Sequence, residues 1–503
     1  VVQIENWRGR SGFKKVKRDL AAQGEKLDWQ SFVPPPIPNE SNFASIPIFA
    51  KLFDYQRDAT GQAVWRDTNA LNENVLSIYV EGFDDLPSFG LWILGRKTDL
   101  QEWQDYYRKS KLVTDESSVT STNPAADILA ALAKSDDAIN QLEKASELPF
   151  SRLPIQYDES YSAQTPHLSK LKAAAQNLNL RASAHLELGQ IDSAAKDVIL
   201  NLRLANLSRD EPFLISHLVR VAMTTIDLHP LWEGLLDQRW DEQHLKAFQA
   251  ELEKFDYIQS LQLALRGERV SSLQMIEMSR TNRNMFPWLI LGSSSQNPPL
   301  EFDLDSLKRY SSKKLQSMIW HSIPDGWFYQ NQSAIADTFQ QMLAAVDPVA
   351  HRVSLSKIKV AADLAENRKG FYPYFALAQL LLPAHQKAAM KLSFEQTAVE
   401  LAIVACALER YRLVIGVFPE DLAALSPQFL EKIPHDIITG EPLKYRQTGD
   451  GKFILYSVGW NGTDDGGTIA IRLSSRNPQM EEGDWVWQYS TNSPPTNSIK
   501  SAW

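Results

Sequence analysis

Phe394-Glu395-Gln396-Thr397-Ala398-Val399-Glu400-Leu401-Ala402-Ile403-Val404-Ala405-Cys406-Ala407-Leu408-Glu409-Arg410-Tyr411-Arg412 runs without proline or glycine up to Gly416. The stretch predicts a helix over 394–414. Ala402, Val404, Ala405, Ala407 and Leu408 surround Cys406, which marks a buried small-residue position. A nucleophilic reading of that thiol needs a base that sequence alone does not place, so the inert core reading is preferred. Glu395, Gln396, Glu400, Glu409 and Arg410 interrupt the apolar run. No run of about 18 apolar residues occurs here or elsewhere in the chain.

Upstream of this helix, from about 124, the pattern is helical. Asn123-Pro124 starts a helix, with proline in the first turn, and Ile128, Leu129, Leu132, Ile139 and Leu142 follow at three- and four-residue spacings. Residues 168–208 read as two helices meeting at Leu188-Gly189-Gln190. The segment Ala182…Leu186-Glu187-Leu188-Gly189…Ala194-Ala195…Val198 resembles one tetratricopeptide hairpin. No 34-residue period accompanies it, so a solenoid is not expected. Further helices are expected over 211–237, 241–280, 304–320, 331–346, 350–368 and 374–391, with an exposed loop from Gly292 to Pro299.

The first 123 residues are mixed. Val1, Val2, Ile4 and Trp7 precede Arg8, Arg10, Lys14, Lys15, Lys17 and Arg18, giving a net charge of +5 over residues 1–18. Two readings fit: the flank of a membrane anchor missing from the chain as given, or a solvated amphipathic helix. A helix over 11–26 ends near Gly24. Val33-Pro34-Pro35-Pro36-Ile37-Pro38 cannot join a helix or a central strand. Residues 28–50 therefore read as a strap over a neighbouring surface, anchored by Trp29, Phe32, Phe43 and Phe49. Residues 74–95, rich in β-branched and aromatic residues, read as one or two strands. Trp103, Tyr106 and Tyr107 open a helical stretch, and 111–123 is a polar loop.

Downstream of Gly416 the period changes. Phe418 to Leu422 starts a short helix, and Ile433-Pro434-His435-Asp436 and Thr439-Gly440 are turns. Leu443–Arg446 and Phe453–Val458 form a hairpin around Gly449-Asp450-Gly451. Asp464-Asp465-Gly466-Gly467 is a loop, and Gly483–Trp487 is a last strand. The order Ala407-Leu408-Glu409-Arg410-Tyr411-Arg412, Phe418-Pro419, Ile433-Pro434-His435-Asp436, Tyr445-Arg446, Tyr456-Ser457-Val458-Gly459-Trp460-Asn461-Gly462 resembles the globular end of the major pseudopilin of type II secretion, over about 394–470. The whole chain is also similar to large anchored proteins of planctomycetes and verrucomicrobia. They share a flank like Glu5-Asn6-Trp7-Arg8-Gly9, a proline strap and this C-terminal module, and the likeness implies no activity. The pseudopilin resemblance implies Ca2+ in the loop after the Tyr456-Ser457 strand, with Asn461, Asp464 and Asp465 as oxygen donors; hard oxygen ligands suit that ion, though Asp-Gly pairs also form plain turns. The polar residues of the 394–414 helix depart from the apolar pseudopilin anchor. They imply a module docked on its own chain rather than a filament subunit. Beyond Ca2+, no cofactor is expected.

Composition limits the remaining classes. The 503 residues are 44% hydrophobic and 22% charged, with net charge −9 and one cysteine. This is an ordinary globular mix without a disulfide framework or a cysteine zinc site, and a poor general nucleic-acid binder. The sequence contains no Gly-x-Ser-x-Gly elbow, P-loop, dinucleotide fingerprint or His-Glu-x-x-His. Two clusters stand out. Arg266-Gly267-Glu268-Arg269 places a glycine inside a helical run, at about 1 kcal/mol against alanine, so a close crossing or a kink is expected there. Glu268 would pair with Arg266 or Arg269. Asp325-Gly326-Trp327-Phe328-Tyr329-Gln330-Asn331 would either line a groove through Trp327, Tyr329 and Asn331 or cap the next helix by aromatic packing, the preferred reading.

The chain is thus expected to be mainly α, divided into a basic helix and strap (1–60), a small segment with strands (61–123), a helical body (124–393) and a pseudopilin-like α+β module (394–503). The function read from it is a non-enzymatic cell-envelope interaction or assembly protein. It would meet protein partners and a membrane on the periplasmic side, linked to a secretion or pilus-like machine. The alternative is a hydrolase of envelope polymers or peptides using the acidic and aromatic clusters of the body.

Overall fold

Residues 384–415 fold as one uninterrupted helix, longer than the 394–414 predicted, and the rest of the chain is arranged around it. The computed structural model describes residues 2–58, 62–69, 71, 75–83, 86–110, 123–283, 321–367, 375, 377–378, 382, 384–472 and 477–489. Their helices are α1 (Val2–Ala22), α2 (Leu100–Lys109), α3 (Pro124–Leu132), α4 (Asp136–Ala145), α5 (His167–Glu187), α6 (Ile191–Ala205), α7 (Leu214–Leu236), α8 (Glu242–Leu252), α9 (Tyr257–Thr281), α10 (Asp325–Ala344), α11 (Leu355–Asn367) and α12 (Ala384–Ile415). Small antiparallel sheets complete the fold: β1 (Tyr55–Arg57) with β2 (Ala63–Trp65), β3 (Val346–Asp347) with β4 (Arg352–Val353), β7 (Ile469–Ile471) with β8 (Pro478–Gly483), and the three-stranded order β5 (Lys444–Gln447), β6 (Phe453–Ser457), β9 (Trp485–Gln488). The fold is mainly helical, as expected. The helix expected over 304–320 and the loop from Gly292 to Pro299 lie outside the described residues, as do residues 111–122.

From Ala388 to Leu408 nearly every side chain of α12 is buried. A helix without a polar face is stable in water only when wrapped on all sides, and α7, α8, α9 and the β5-β6-β9 sheet do so. The helix stops at Gly416, whose φ of 94° only glycine adopts at little cost. Its amide donates to the Arg412 carbonyl at 2.7 Å, a left-handed C-cap. The C-terminal segment docks on this core as expected. Trp232 Nε1 donates to the Gln488 carbonyl at 2.9 Å, and Trp487 packs on Trp92 with centroids 5.0 Å apart. Arg410 forks onto Glu242 at 3.0–3.2 Å and reaches Gln249 and the Phe429 carbonyl.

The proline segment is a strap, held largely by the residues that the sequence singles out. Trp29, Phe43 and Phe49 are buried and Phe32 is half-buried. Arg152 Nε donates to the Pro34 carbonyl at 2.9 Å, and Asn42 bridges to Phe150. The strands expected over 74–95 do not form in the described residues. That stretch is turns, with a 3-10 turn at Trp92–Leu94 closed by a Leu91–Arg96 bridge. Its β-like composition reflects individual side chains, Leu76, Ile78 and Trp92 among them, buried against helices. The nearest strands are the short pair β1 and β2.

Among the described residues the largest hydrophobic cluster runs from Phe13 through Trp92, Leu178 and Val404 to Trp487, and a smaller one gathers Ile78, Trp103, Ile128 and Leu180. The largest cluster draws residues from all four expected segments, and the boundary at 393/394 falls inside α12. Turn and period signals report local structure; they do not report which segments share a core.

Candidate interaction surfaces

The Arg266–Arg269 cluster is structural, with a partner the sequence did not point to. The carboxylate between the arginines is Glu25, from the turn after α1, rather than Glu268. Arg266 grips it with two bonds of 3.1 Å, and the fully buried Arg269 donates to it at 2.5 Å and also to Gln340 and the Lys26 carbonyl. Burial raises the Glu25 carboxyl, but hydrogen bonds from Arg266 and Arg269 outweigh it and hold it below the usual range. Pairs 241 and 244 residues apart in sequence carry no local signal. Glu268 instead caps α7, accepting from the Leu214 amide at 3.2 Å, with His385 3.8 Å away. The expected close crossing at Gly267 is present: a Cβ there would lie 1.8 Å from the Pro212 carbonyl oxygen.

The Asp325–Asn331 cluster opens α10 and holds α1. Asp325 takes Arg280 at 3.0 Å and Arg283 at 2.5 Å. Gly326 lies against α1 so closely that a Cβ would meet the Glu5 carbonyl oxygen at 2.0 Å, and one on Gly9 would meet the Gly326 oxygen at 2.2 Å. Tyr329 stacks on Phe13, with Arg10 and Arg280 over its ring. Asn331 donates to the Trp327 carbonyl at 2.8 Å and accepts from the Ala378 amide. The packing reading of Trp327, Tyr329 and Asn331 describes these contacts.

That grip leaves the other side of α1 in solvent. Trp7 is 72% exposed and Ile4 67%, and Arg8, Arg10, Lys14, Lys15, Lys17 and Arg18 are all exposed. A second outward apolar run lies where α12 ends: Leu413, Val414, Ile415 and, at 64%, Val417. A surface cleft of about 550 Å3 opens beside the strap, lined by Phe43, Phe150, Arg203, Arg209, Asp210 and Lys254 among others. Most of its charges are paired internally, Arg203 and Lys254 with Glu251, and Arg209 with Asp210. Glu268 does not line it.

The loop proposed for calcium is tied by its own side chains. Asp464 Oδ1 accepts from the Tyr456 hydroxyl and the Gly466 amide, both at 3.0 Å, and Lys444 Nζ lies 3.6 Å from Oδ2. Asn461 Nδ2 donates to Asp465 at 2.9 Å. The carboxylate organising the loop is Asp484, which accepts from the amides of Asp465, Gly467 and Thr468. Among the described residues no three His, Cys, Asp or Glu side chains converge as a metal cluster.

Sequence reasoning missed a polar seam inside the body. Asp227 of α7 and Glu395 of α12 are fully buried. Among the described residues neither Asp227 oxygen makes a hydrogen bond, and Glu395 accepts only from Thr225, at 2.7 Å. Arg220, also buried, stacks over Tyr257 and Phe255 and donates to Ser260 and Asn206. Gln396 continues the seam from the Tyr257 amide to Glu400, which meets His351 at 2.8 Å. The signal in the sequence was Glu395 and Glu400 within an otherwise apolar helix.

Burial pushes the Glu395 carboxyl up to about 8, and burial with the Glu395 charge raises Asp227 well above its usual range. Glu395 is thus an acid held neutral near pH 7, and Asp227 is shifted in the same direction. The native state then binds protons that the unfolded chain has released, so stability is full below the ordinary carboxylate range and falls as pH rises through about 8. The slope from Glu395 is at most ~1.4 kcal/mol per pH unit. Glu395→Gln is expected to flatten the decline in denaturant-measured stability between acid and alkaline pH; an unchanged slope would mean that Glu395 is ionised when folded.

Cys406 is buried among apolar neighbours, and burial pushes its thiol up, which suits inert packing. His229 and Glu233, 3.0 Å apart, pin Thr98 to α7. No helix of the described residues is long and apolar enough to cross a membrane. Compared with protein-family models, curated proteins and solved structures, the chain matches none.

Proposed function

We propose that the protein is a non-enzymatic interaction or assembly protein of the cell envelope, serving a secretion or pilus-like machine. The observation that carries this reading is the exposed apolar run Leu413-Val414-Ile415 with Val417 at the end of the central helix. Folded chains rarely leave contiguous apolar surface in water unless it meets a partner. The helical hairpin of α5 and α6, joined at Gly189, is the part of the body that resembles a tetratricopeptide unit. The helix, turns and small sheet after residue 394 are the part that resembles a pseudopilin. Both likenesses favour protein partners. Ca2+ at Asn461, Asp464 and Asp465 belongs to the same proposal, and a Ca2+ titration followed by thermal melt tests it: no upward shift at millimolar Ca2+ removes the site.

The hydrolase alternative rested on Glu268 and the Asp325–Asn331 cluster. Glu268 caps α7, and Asp325 holds two arginines. Complementation of a deletion strain separates the two readings. Glu268→Gln, which keeps an acceptor for the Leu214 amide, is expected to complement as well as the parent chain. Loss of complementation by a variant that accumulates and melts normally would restore Glu268 as a catalytic candidate.

A further inference from the structure

The outer face of α1 combines exposure, shape and charge in a way that its packing on α10 does not use. At the α-helical 100° per residue, Ile4, Trp7, Arg8, Ser11, Lys14, Lys15 and Arg18 fall within an arc of about 120°. The arc lies opposite Gly9, Phe13 and Leu20, which face the core. Along it, the apolar Ile4 and Trp7 come first and the basic residues follow, so Trp7 and Arg18 are about 16 Å apart along the axis. Among the described residues, Lys14 and Lys15 make no salt bridge, while Arg8 and Arg18 meet only Glu5 and Asp19 on the same helix. The face is also fixed, because the Gly9–Gly326 contact brings the backbones of α1 and α10 together and Tyr329 stacks on Phe13.

We infer that this face is a docking surface for an anionic lipid bilayer. An indole and an isoleucine at one end suit the headgroup–acyl boundary, and a row of cations beyond them suits anionic headgroups. The whole chain carries −9, so a negative surface would repel most of it and accept it through this helix, which orients the molecule as well as binding it. The inference extends the envelope reading without depending on it: the face binds lipid whether or not an anchor precedes it, and an envelope protein without this contact is equally conceivable.

The test is co-sedimentation of the chain with vesicles of phosphatidylcholine alone and of phosphatidylcholine mixed with phosphatidylglycerol. Binding is expected to the anionic vesicles and to be released at 1 M salt, where the screening length falls to about 3 Å. Reversing the charge of three exposed residues together, Lys14→Glu, Lys15→Glu and Arg18→Glu, should weaken binding at least ~100-fold, since each basic residue near an anionic surface contributes roughly a 5-fold factor and the three factors multiply. Trp7→Ala should weaken it several-fold. These side chains are in solvent, so unchanged melting temperatures separate lost binding from lost folding. Equal binding to both vesicle types, no binding to either, or unchanged binding of the triple variant overturns the inference. Binding of a DNA duplex without vesicle binding would assign the face to nucleic acid and overturn it equally.

Discussion

Glu25→Ala is expected to destabilise the protein by about 3–5 kcal/mol, the range for removing one partner of a buried ion pair. The loss is large because of what stays behind: Arg269, with no exposed surface, would keep a guanidinium whose carboxylate is gone. Arg266 is partly exposed and can turn to water, so Arg266→Ala should cost much less. The contrast between these two variants in denaturant unfolding checks the argument, and equal losses would contradict it. The pH dependence has a definite sign. The folded Glu25 carboxyl titrates below its ordinary value, so its contribution is present above the ordinary carboxylate range and lost as pH falls through the lowered value. This is opposite to Glu395, and the two slopes act at different ends of the pH scale.

Gly267→Ala is the second variant with a large expected effect, and two physical terms compete in it. Alanine gains about 1 kcal/mol over glycine in a helix interior. The added Cβ, however, would sit 1.8 Å from a backbone oxygen, that of Pro212, which cannot swing aside as a side-chain tip can. Separating α9 from the chain before α7 would also disturb the cap that Glu268 gives to the Leu214 amide. Overpacking costs roughly 1–3 kcal/mol and occasionally more, and a contact with rigid backbone belongs at the upper end, so the clash wins and a net loss is expected. Gly189→Ala is the control: its added Cβ meets nothing, and only the φ of 72° opposes it. Its loss in the same assay should be clearly smaller.

The fold class was legible because it rests on local patterns. Asn123 caps α3, with Pro124 in the first turn, as the sequence indicates, and Gly189 turns α5 into α6. The β5–β6 hairpin closes around Gly449-Asp450-Gly451. Legibility failed where one signal has two physical causes. Within 74–95, Leu76, Ile78, Trp92, Ile93 and Leu94 are buried singly rather than in a ladder, a burial that looks like a strand in composition. The sites were legible as anomalies but not as arrangements. Gly267 stood out for its helix cost and does mark a close approach. Yet the acid for Arg266 and Arg269 is Glu25, far away in sequence, and the Glu395 charge reaches Asp227 because α7 and α12 are packed together. Pairings of that length are set by tertiary packing, which no spacing rule encodes.

Under the proposed function the chain works by holding partners at the envelope. Quantitative affinity purification from native membranes, with the partners identified, tests it most directly. Recovery in the membrane fraction with envelope proteins in near-stoichiometric amounts is expected, as is loss of those partners when Val414 and Val417 are replaced by aspartate. Recovery of the chain alone from the soluble fraction would contradict it.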